Sequence, residues 1–124
     1  METIVLPPNV YADNCPTRRA LDMIADRWTV LVVGLLGGGP QRFSALKRQI
    51  GGISQKMLTQ TLRELERSGL ITRTIYAEVP PRVEYELTAL GESLCGPIQA
   101  IRDWAESNID TVSRAQAAYD ERVG

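Results

Sequence analysis

The periodicity of residues 54–68 constrains the fold of this chain more than any other feature. Because successive residues of an α-helix are rotated by ~100°, the leucines of this segment fall on one side, which we expect to face a core. Ser54 has the side chain of an N-cap residue, and Gly69 is the residue type that commonly ends a helix. The side opposite the leucines carries no acid and consists of Lys56, Gln60, Arg63 and Arg67, with Thr59 beside them.

The segments before this helix also have helical patterns. Pro16 suits the first turn of one helix, and Asp26 is expected to cap a second, apolar helix that ends at a run of glycines. Ser44 is expected to cap a short third helix, which a glycine pair separates from residues 54–68. Two helices joined by a short Gly-containing turn form a helix-turn-helix unit.

The segments after it have the composition of strands. β-Branched and aromatic residues at 71–76 and 83–87 predict a hairpin, and the Pro-Pro pair in its connection would stiffen that connection into an extended wing. Thr88 is expected to cap a last helical stretch, which a Gly-Pro pair interrupts or kinks. The predicted fold class is mainly α with a small β-hairpin (α+β), in a winged helix-turn-helix arrangement.

We expect one domain with a short flank at each end. Residues 1–14 contain prolines and asparagines without a sustained period and are expected to form an irregular arm. Residues 15–110 are expected to form the winged domain together with a dimerisation helix. Residues 111–124 are expected to form a C-terminal tail.

The charge of the chain is distributed unevenly. The formal net charge is −1, but residues 41–82 hold eight basic and three acidic side chains, whereas the remainder holds six basic and twelve acidic ones. The helix-turn-helix and wing therefore carry +5 and the rest −6. A basic face on an acidic body is the electrostatic footprint expected of contact with nucleic acid phosphates.

Several function classes lose support from the composition. The chain has no histidine, the commonest general base and metal ligand, and its two cysteines stand far apart, so we expect no enzyme, no cofactor and no metal site. The run of glycines at 37–39 lacks the Lys-Ser or Lys-Thr of a phosphate loop. No signal sequence or apolar run of ~20 residues is present, so a cytoplasmic location without membrane contact is expected.

The polar side chains of the predicted helix-turn-helix are the types that read DNA. Arginine and lysine donate to guanine, glutamine pairs with adenine, and threonine contacts a thymine methyl group or a phosphate. Arg82 is expected to be held out beside the prolines of the wing, near the minor groove and the phosphates. The alternatives are a solvated helix face and a purely structural loop. The predicted DNA-binding residues are Lys47, Arg48, Ser54, Gln55, Lys56, Thr59, Gln60, Arg63, Arg67 and Arg82.

An ordered set of motifs resembles the HxlR-type winged helix-turn-helix regulators. These motifs are CP (15–16), DRWT (26–29), RFSAL (42–46), GISQKMLTQTLRELE (52–66), GLITR (69–73), PPRVEY (80–85) and LTALG (87–91). The resemblance implies a dimeric, DNA-binding transcriptional regulator whose recognition helix is residues 54–68. It does not imply an operator sequence, or whether the protein represses or activates.

Some HxlR-type regulators sense electrophiles or oxidants through the cysteine that corresponds to Cys15. Here Cys15 precedes a helix start and lies near Arg18 and Arg19, features that stabilise a thiolate. The resemblance therefore implies a redox-sensing role for Cys15, and the alternative is a buried, inert thiol. Cys95 lies in an apolar helical stretch and is expected to serve packing.

The last helical stretch has more apolar surface than a small core covers, and such stripes commonly mark a partner surface. Its apolar residues on one face are Leu90, Leu94, Ile98, Ile101 and Ala105. A homodimer on a pseudo-palindromic duplex-DNA operator is predicted, with a helix packed within its own chain as the alternative. A winged-helix module that binds protein and a thiol enzyme that uses Cys15 are the competing functions. A small-molecule or oxidant effector is left open.

Overall fold

The computed structural model describes residues 7–124, and most of its helices and strands lie where the sequence pattern predicts them. Within that range the chain forms six helices and three strands. In chain order they are α1 (Pro16–Ile24), α2 (Arg27–Leu36), β1 (Gln41–Arg42), α3 (Phe43–Gln49), α4 (Gln55–Arg67), β2 (Ile71–Tyr76), β3 (Arg82–Leu87), α5 (Ala89–Glu92) and α6 (Cys95–Val123). The predicted winged helix-turn-helix, mainly helical with a small sheet, is confirmed.

Three of the predicted helix caps are present. The Asp26 carboxylate accepts hydrogen bonds from the backbone N–H groups that open α2, at 2.9 and 3.3 Å. Ser54 Oγ accepts from the N–H of Met57 at 3.1 Å, and Thr88 Oγ1 accepts from the N–H of Gly91 at 3.1 Å. Each bond satisfies a donor that the first helical turn would otherwise leave unpaired.

The predicted cap of α3 is wrong. The helix begins at Phe43 with Arg42 at the N-cap position, and no side chain caps it, so Ser44 lies inside the first turn. The reason is β1, which pairs antiparallel with β3 through Gln41–Tyr85 and Arg42–Glu84. This pairing holds Arg42 in an extended conformation directly before the helix.

The sheet has the strand order β1–β3–β2 and forms the wing. In the β2–β3 hairpin Ile71 pairs with Leu87 at the inner end and Tyr76 with Arg82 at the outer end. Only the inner pair is buried, at 2% and 8% exposure. The hairpin therefore projects from the core.

The core fixes the orientation of α4. The leucines Leu58, Leu62 and Leu65 are at most 2% exposed. They pack in one cluster with residues of α2, α3, the sheet and the start of α6, among them Val32, Val33, Leu36, Leu46, Ile71 and Ile98. The opposite side of α4 therefore faces outward.

The two ends of the chain differ from the predicted flanks in detail. Residues 7–14 form turns and bends without a helix or strand, while residues 1–6 of the predicted arm lie outside the described residues. The segment predicted as a tail is helical up to Val123, and the Gly-Pro pair lies in the first turn of α6, after a break that separates it from α5. Among the helices of residues 7–124, none combines the length and apolar character needed to cross a bilayer.

Gly91 is a position at which a single methyl group should destabilise the fold. A Cβ there would overlap the backbone carbonyl oxygen of Leu70, which cannot move without shifting the α4–β2 turn. We expect Gly91→Ala to lower the free energy of unfolding by about 1–3 kcal/mol in urea titrations, the usual cost of overpacking. Gly96→Ala is the control, because a Cβ at Gly96 meets nothing within 4 Å. Equal unfolding midpoints for the two variants would contradict this account.

Candidate nucleic-acid interface

The outward side of α4 presents the polar side chains that the sequence predicts there. Gln55, Lys56, Gln60, Arg63 and Arg67 are exposed, and Thr59 is partly buried. Ser54 is also exposed at the N-cap while its hydroxyl oxygen accepts from the helix backbone. The outward side of α4 can therefore meet a nucleic acid without any rearrangement of the core.

The helix that precedes α4 adds two more cations. Lys47 and Arg48 lie in the last turn of α3, and both are exposed. Basic side chains near a helix C-terminus are stabilised by the helix dipole, and their charge remains available to a ligand. The structure thus places cations on both helices of the helix-turn-helix.

One flank of α4 faces the sheet across a cleft of about 250 Å³. Gln55, Thr59 and Arg63 line it from the helix, and Arg73 of β2 and Tyr85 of β3 line it from the sheet. Arg73 and Tyr85 were not among the predicted DNA-binding residues. Their signal was the hairpin register, which makes them cross-strand partners on the side that faces α4.

The cleft has a mixed electrostatic environment. Arg73 Nε lies 3.7 Å from Glu66 Oε1, so an acid from the flank of α4 holds the arginine of the sheet. Burial raises the pKa of Tyr85; Arg73 and Arg63 oppose the shift, and Glu66 adds to it. The phenol is therefore protonated at neutral pH and can donate a hydrogen bond to a phosphate oxygen.

Arg67 occupies a different place from Arg63, although both are on the outward side. Its Nη1 lies 3.4 Å from Glu64 Oε1, one helical turn away. Its side chain also lines a cavity between α1 and the C-terminal end of α4. The predicted acid-free stripe therefore divides, with Arg63 toward the sheet and Arg67 toward α1.

The expectation that Arg82 is held out from the body is wrong. Its guanidinium carbon lies 4.1 Å from the centroid of the Tyr76 ring, and its nitrogens lie 3.4 Å from Glu78 and 3.7 Å from Glu84. The cross-strand pairing of Tyr76 with Arg82 brings the ring and the cation together. Arg82 thus links the two strands of the wing, while the fully exposed Val79 lies at the tip.

Cys15 occupies the N-cap position of α1 and is partly buried. The backbone N–H of Asn9 donates to Cys15 Sγ at 3.3 Å and is the main cause that lowers the pKa of this thiol to about 7. Burial opposes the shift, and donors on Thr17 and Arg18 support it. The sequence predicted stabilisation of the thiolate, but the groups responsible are hydrogen-bond donors rather than guanidinium charges.

Cys95 begins α6 and packs against the core beside α2, as predicted. A Cβ built on Gly37 would lie 3.5 Å from Cys95 Sγ, which shows how closely the two helices meet there. Within residues 7–124 both cysteines are free thiols. The two thiols therefore occupy different settings, one in the arm–α1 junction and one in a helix seam.

One family model matches most of the chain, and the similar proteins are transcriptional regulators. The profile of the HxlR-like helix-turn-helix matches residues 23–113. The HTH-type transcriptional regulator YtfH of Escherichia coli (strain K12) is 46% identical over 115 residues, which are 93% of this chain and 89% of that protein.

The similar solved structures are also regulators. The transcriptional regulator YtfH from Salmonella typhimurium superimposes with a TM-score of 0.83 at 42% identity, over 90% of this chain and 99% of that one. The redox regulator HypR, in its oxidized form, superimposes with a TM-score of 0.71 at 39% identity, over 76% of this chain and 97% of that one.

Proposed function

The chain belongs to the HxlR-like helix-turn-helix family of transcriptional regulators, and we propose that it binds a duplex-DNA operator as a homodimer. The observation that carries this proposal is the outward side of α4, where exposed cations and amides stand opposite three buried leucines. We also propose that the protein acts in the cytoplasm and that it is a regulator and not an enzyme.

The residues of α4 and the residues of the sheet that faces it have separate tasks in the proposed complex. In the major groove, Gln55, Lys56, Gln60 and Arg63 reach base edges, because their side-chain types pair with adenine and guanine. Arg73 and Tyr85 donate to the phosphates beside the groove. These sheet residues fix the position of the helix on the duplex, whereas the α4 residues carry the sequence preference.

Further cations extend the contact along the DNA backbone. Lys47 and Arg48 of α3 contact phosphates, and the N-cap residue Ser54 and Thr59 lie where the helix enters the groove. Arg82 holds the wing in shape through its ion pairs and its contact with Tyr76, so that the exposed tip meets the minor groove.

The homodimer is proposed from the surface of α6. This helix has 29 residues, or a length of about 40 Å, and Ile98 is its one buried residue. Trp104 and Ile101 are 63% and 54% exposed. A second copy that covers this stripe would place the two recognition helices ~34 Å apart, or a multiple of it, on a pseudo-palindromic operator.

Selection from a random duplex library tests the proposal. Purified protein should enrich a palindromic consensus, and fluorescence anisotropy on that duplex should show log affinity falling with log salt by about 0.9 per phosphate contacted. Enrichment of no sequence, together with salt-independent binding, would instead favour a winged-helix module that binds protein.

We also propose that Cys15 makes the regulator responsive to thiol-reactive compounds. HypR is a redox regulator, and the thiol of Cys15 ionises near neutral pH because backbone N–H groups donate to its sulfur. A thiolate is the species that attacks electrophiles and disulfides. An adduct at the junction between the arm and α1 would alter the dimer and, through it, the spacing of the recognition helices.

A prediction follows for the pH dependence of alkylation. In Cys95→Ser protein, the iodoacetamide reaction rate of Cys15 should rise with pH to a plateau, with a midpoint of about 7. Asn9→Pro in that background removes the donating N–H and should move the midpoint upward, toward the 9.0 of an unperturbed thiol. Asn9→Ala is the control, because it keeps that N–H. A midpoint that stays the same in Asn9→Pro would contradict this origin of the shift.

A further inference from the structure

A cavity of about 650 Å³ separates α1 from the C-terminal end of α4 and from α5. It falls within the range of small-molecule sites, roughly 300–1,000 Å³. Although α1 is amphipathic, none of its side chains is fully buried, and Met23 packs only partly buried against the core. The helix therefore leaves open space against its own domain. The cavity is therefore a site that a ligand can complete.

The lining of this cavity combines an apolar wall with cations. The apolar side chains are Met23, Ile24, Leu70, Leu90 and Leu94. Two cations, Arg19 of α1 and Arg67 of α4, lie at the same cavity together with one acid, Glu64. Arg67 forms an ion pair with Glu64. Arg19, in contrast, has no carboxylate within 4 Å among residues 7–124. The site thus has one unbalanced positive charge beside an apolar surface.

We propose that this cavity binds a small amphipathic organic anion. The apolar body of the ligand packs on the leucines, and its carboxylate or sulfonate lies between Arg19 and Arg67. Guanidinium groups suit this task, because they present several donors to the oxygens of an anion. Such a molecule is an effector of the regulator rather than a substrate.

The cleft on the other side of α1 has mainly acidic charged residues, so the positively charged lining is found on one side of this helix. That cleft, about 590 Å³ in volume, is lined by Asp22, Asp26 and Glu64 and by one cation, Arg27. An anion would be repelled there, since like charges in a shared site raise each other's energy. The two clefts are similar in size, and their charges select different ligands.

The position of Arg67 couples the ligand to DNA. Arg67, one of the residues that the sequence predicts to bind DNA, is the last residue of α4 and is exposed on its outward side. A bound anion therefore holds a guanidinium that a phosphate would otherwise engage. Ligand and DNA therefore oppose each other's binding, by the same factor in both directions. This coupling rests on the proposed function, whereas the ligand site does not.

Anilinonaphthalene sulfonate, an aromatic anion that fluoresces in apolar surroundings, serves as the probe. We expect saturable binding of one probe per chain, and weaker binding of the neutral analogue phenylnaphthylamine. Arg19→Ala should weaken binding of the anion roughly 3- to 10-fold, the effect of one exposed charge contact. Ala20→Trp, which projects a large ring into the cavity, should abolish it. Arg18→Ala is the matched control, because Arg18 does not line the cavity.

Three results would overturn the site. Equal binding by the parent, Arg19→Ala and Ala20→Trp proteins would place the probe elsewhere, for example on the exposed stripe of α6. A second possible result is that the parent shows no saturable binding and that Ala20→Trp is a monomer in light scattering. Together these two observations would show that a second copy of the chain fills the cavity. Equal affinity for the anion and its neutral analogue would remove the role of the arginines.

The coupling has its own readout. Saturating probe should reduce the affinity for the selected duplex in the parent but not in Ala20→Trp, which is expected to bind no probe. Unchanged duplex affinity despite bound probe would overturn the coupling. If the protein binds no duplex at all, the proposed function fails, yet the fluorescence titrations still decide the ligand site.

Discussion

Replacing both Ile101 and Trp104 with glutamate should convert the protein from a dimer into a folded monomer. Both side chains are more than half exposed in the single chain, so the change leaves the core intact. In a two-fold dimer the interface buries two copies of each side chain, one from each protomer. Complete burial of one such side chain contributes about 1.5–3 kcal/mol to the stability of the dimer. The dissociation constant should therefore rise by several orders of magnitude, as measured by light scattering after size-exclusion chromatography.

The same variant should bind DNA far more weakly. A monomer engages one half-site at a time, so the gain from linking two binding events, ~10²–10⁴-fold, is lost. Gln99→Glu with Ser113→Glu is the matched control, because it adds the same charge on the opposite side of α6 by the ~100° rotation per residue. If the Ile101 and Trp104 variant remains a dimer, the apolar stripe of α6 is not the interface.

The helices and the hairpin could be predicted because their signals are local. The leucine spacing of α4 and the caps Asp26, Ser54 and Thr88 each depend on a few neighbouring residues. β1 could not be predicted in this way, since a two-residue strand has no period and its partner Tyr85 lies 44 residues later in the chain. The Ser44 cap failed for the same reason, as the strand pairing fixes where α3 begins.

The candidate site was predictable to a similar extent. The rotation of α4 alone decides which of its side chains face outward, so Lys56, Gln60 and Arg63 were identified correctly as exposed. The surroundings of Arg82 depend on which strand residues pair across the hairpin. The sequence spacing did not predict that Tyr76 would be the partner of Arg82. The cavity beside α1 depends on how loosely one helix packs on others, which no local pattern encodes.

Arg63→Ala is expected to remove sequence preference at one position of each operator half-site. Arg63 is exposed, lines the cleft beside Arg73 and Tyr85, and has no carboxylate within 4 Å among the described residues, so its donors are available to a base. An arginine that donates to guanine O6 and N7 contributes about 1–3 kcal/mol of discrimination, or roughly 5- to 150-fold in affinity.

Repeating the duplex selection with Arg63→Ala, followed by anisotropy titrations, measures both the loss and the position. Arg114→Ala on α6 is the control, because it removes the same charge outside the helix-turn-helix and the wing and should leave the consensus unchanged. Arg82→Ala should lower affinity for all duplexes alike, because it loosens the wing that Arg82 holds in shape and leaves the base-contacting side of α4 intact. If Arg63→Ala selects the parental consensus with parental affinity, α4 does not read the base edges through this residue, and the assigned DNA-binding side of the helix is wrong.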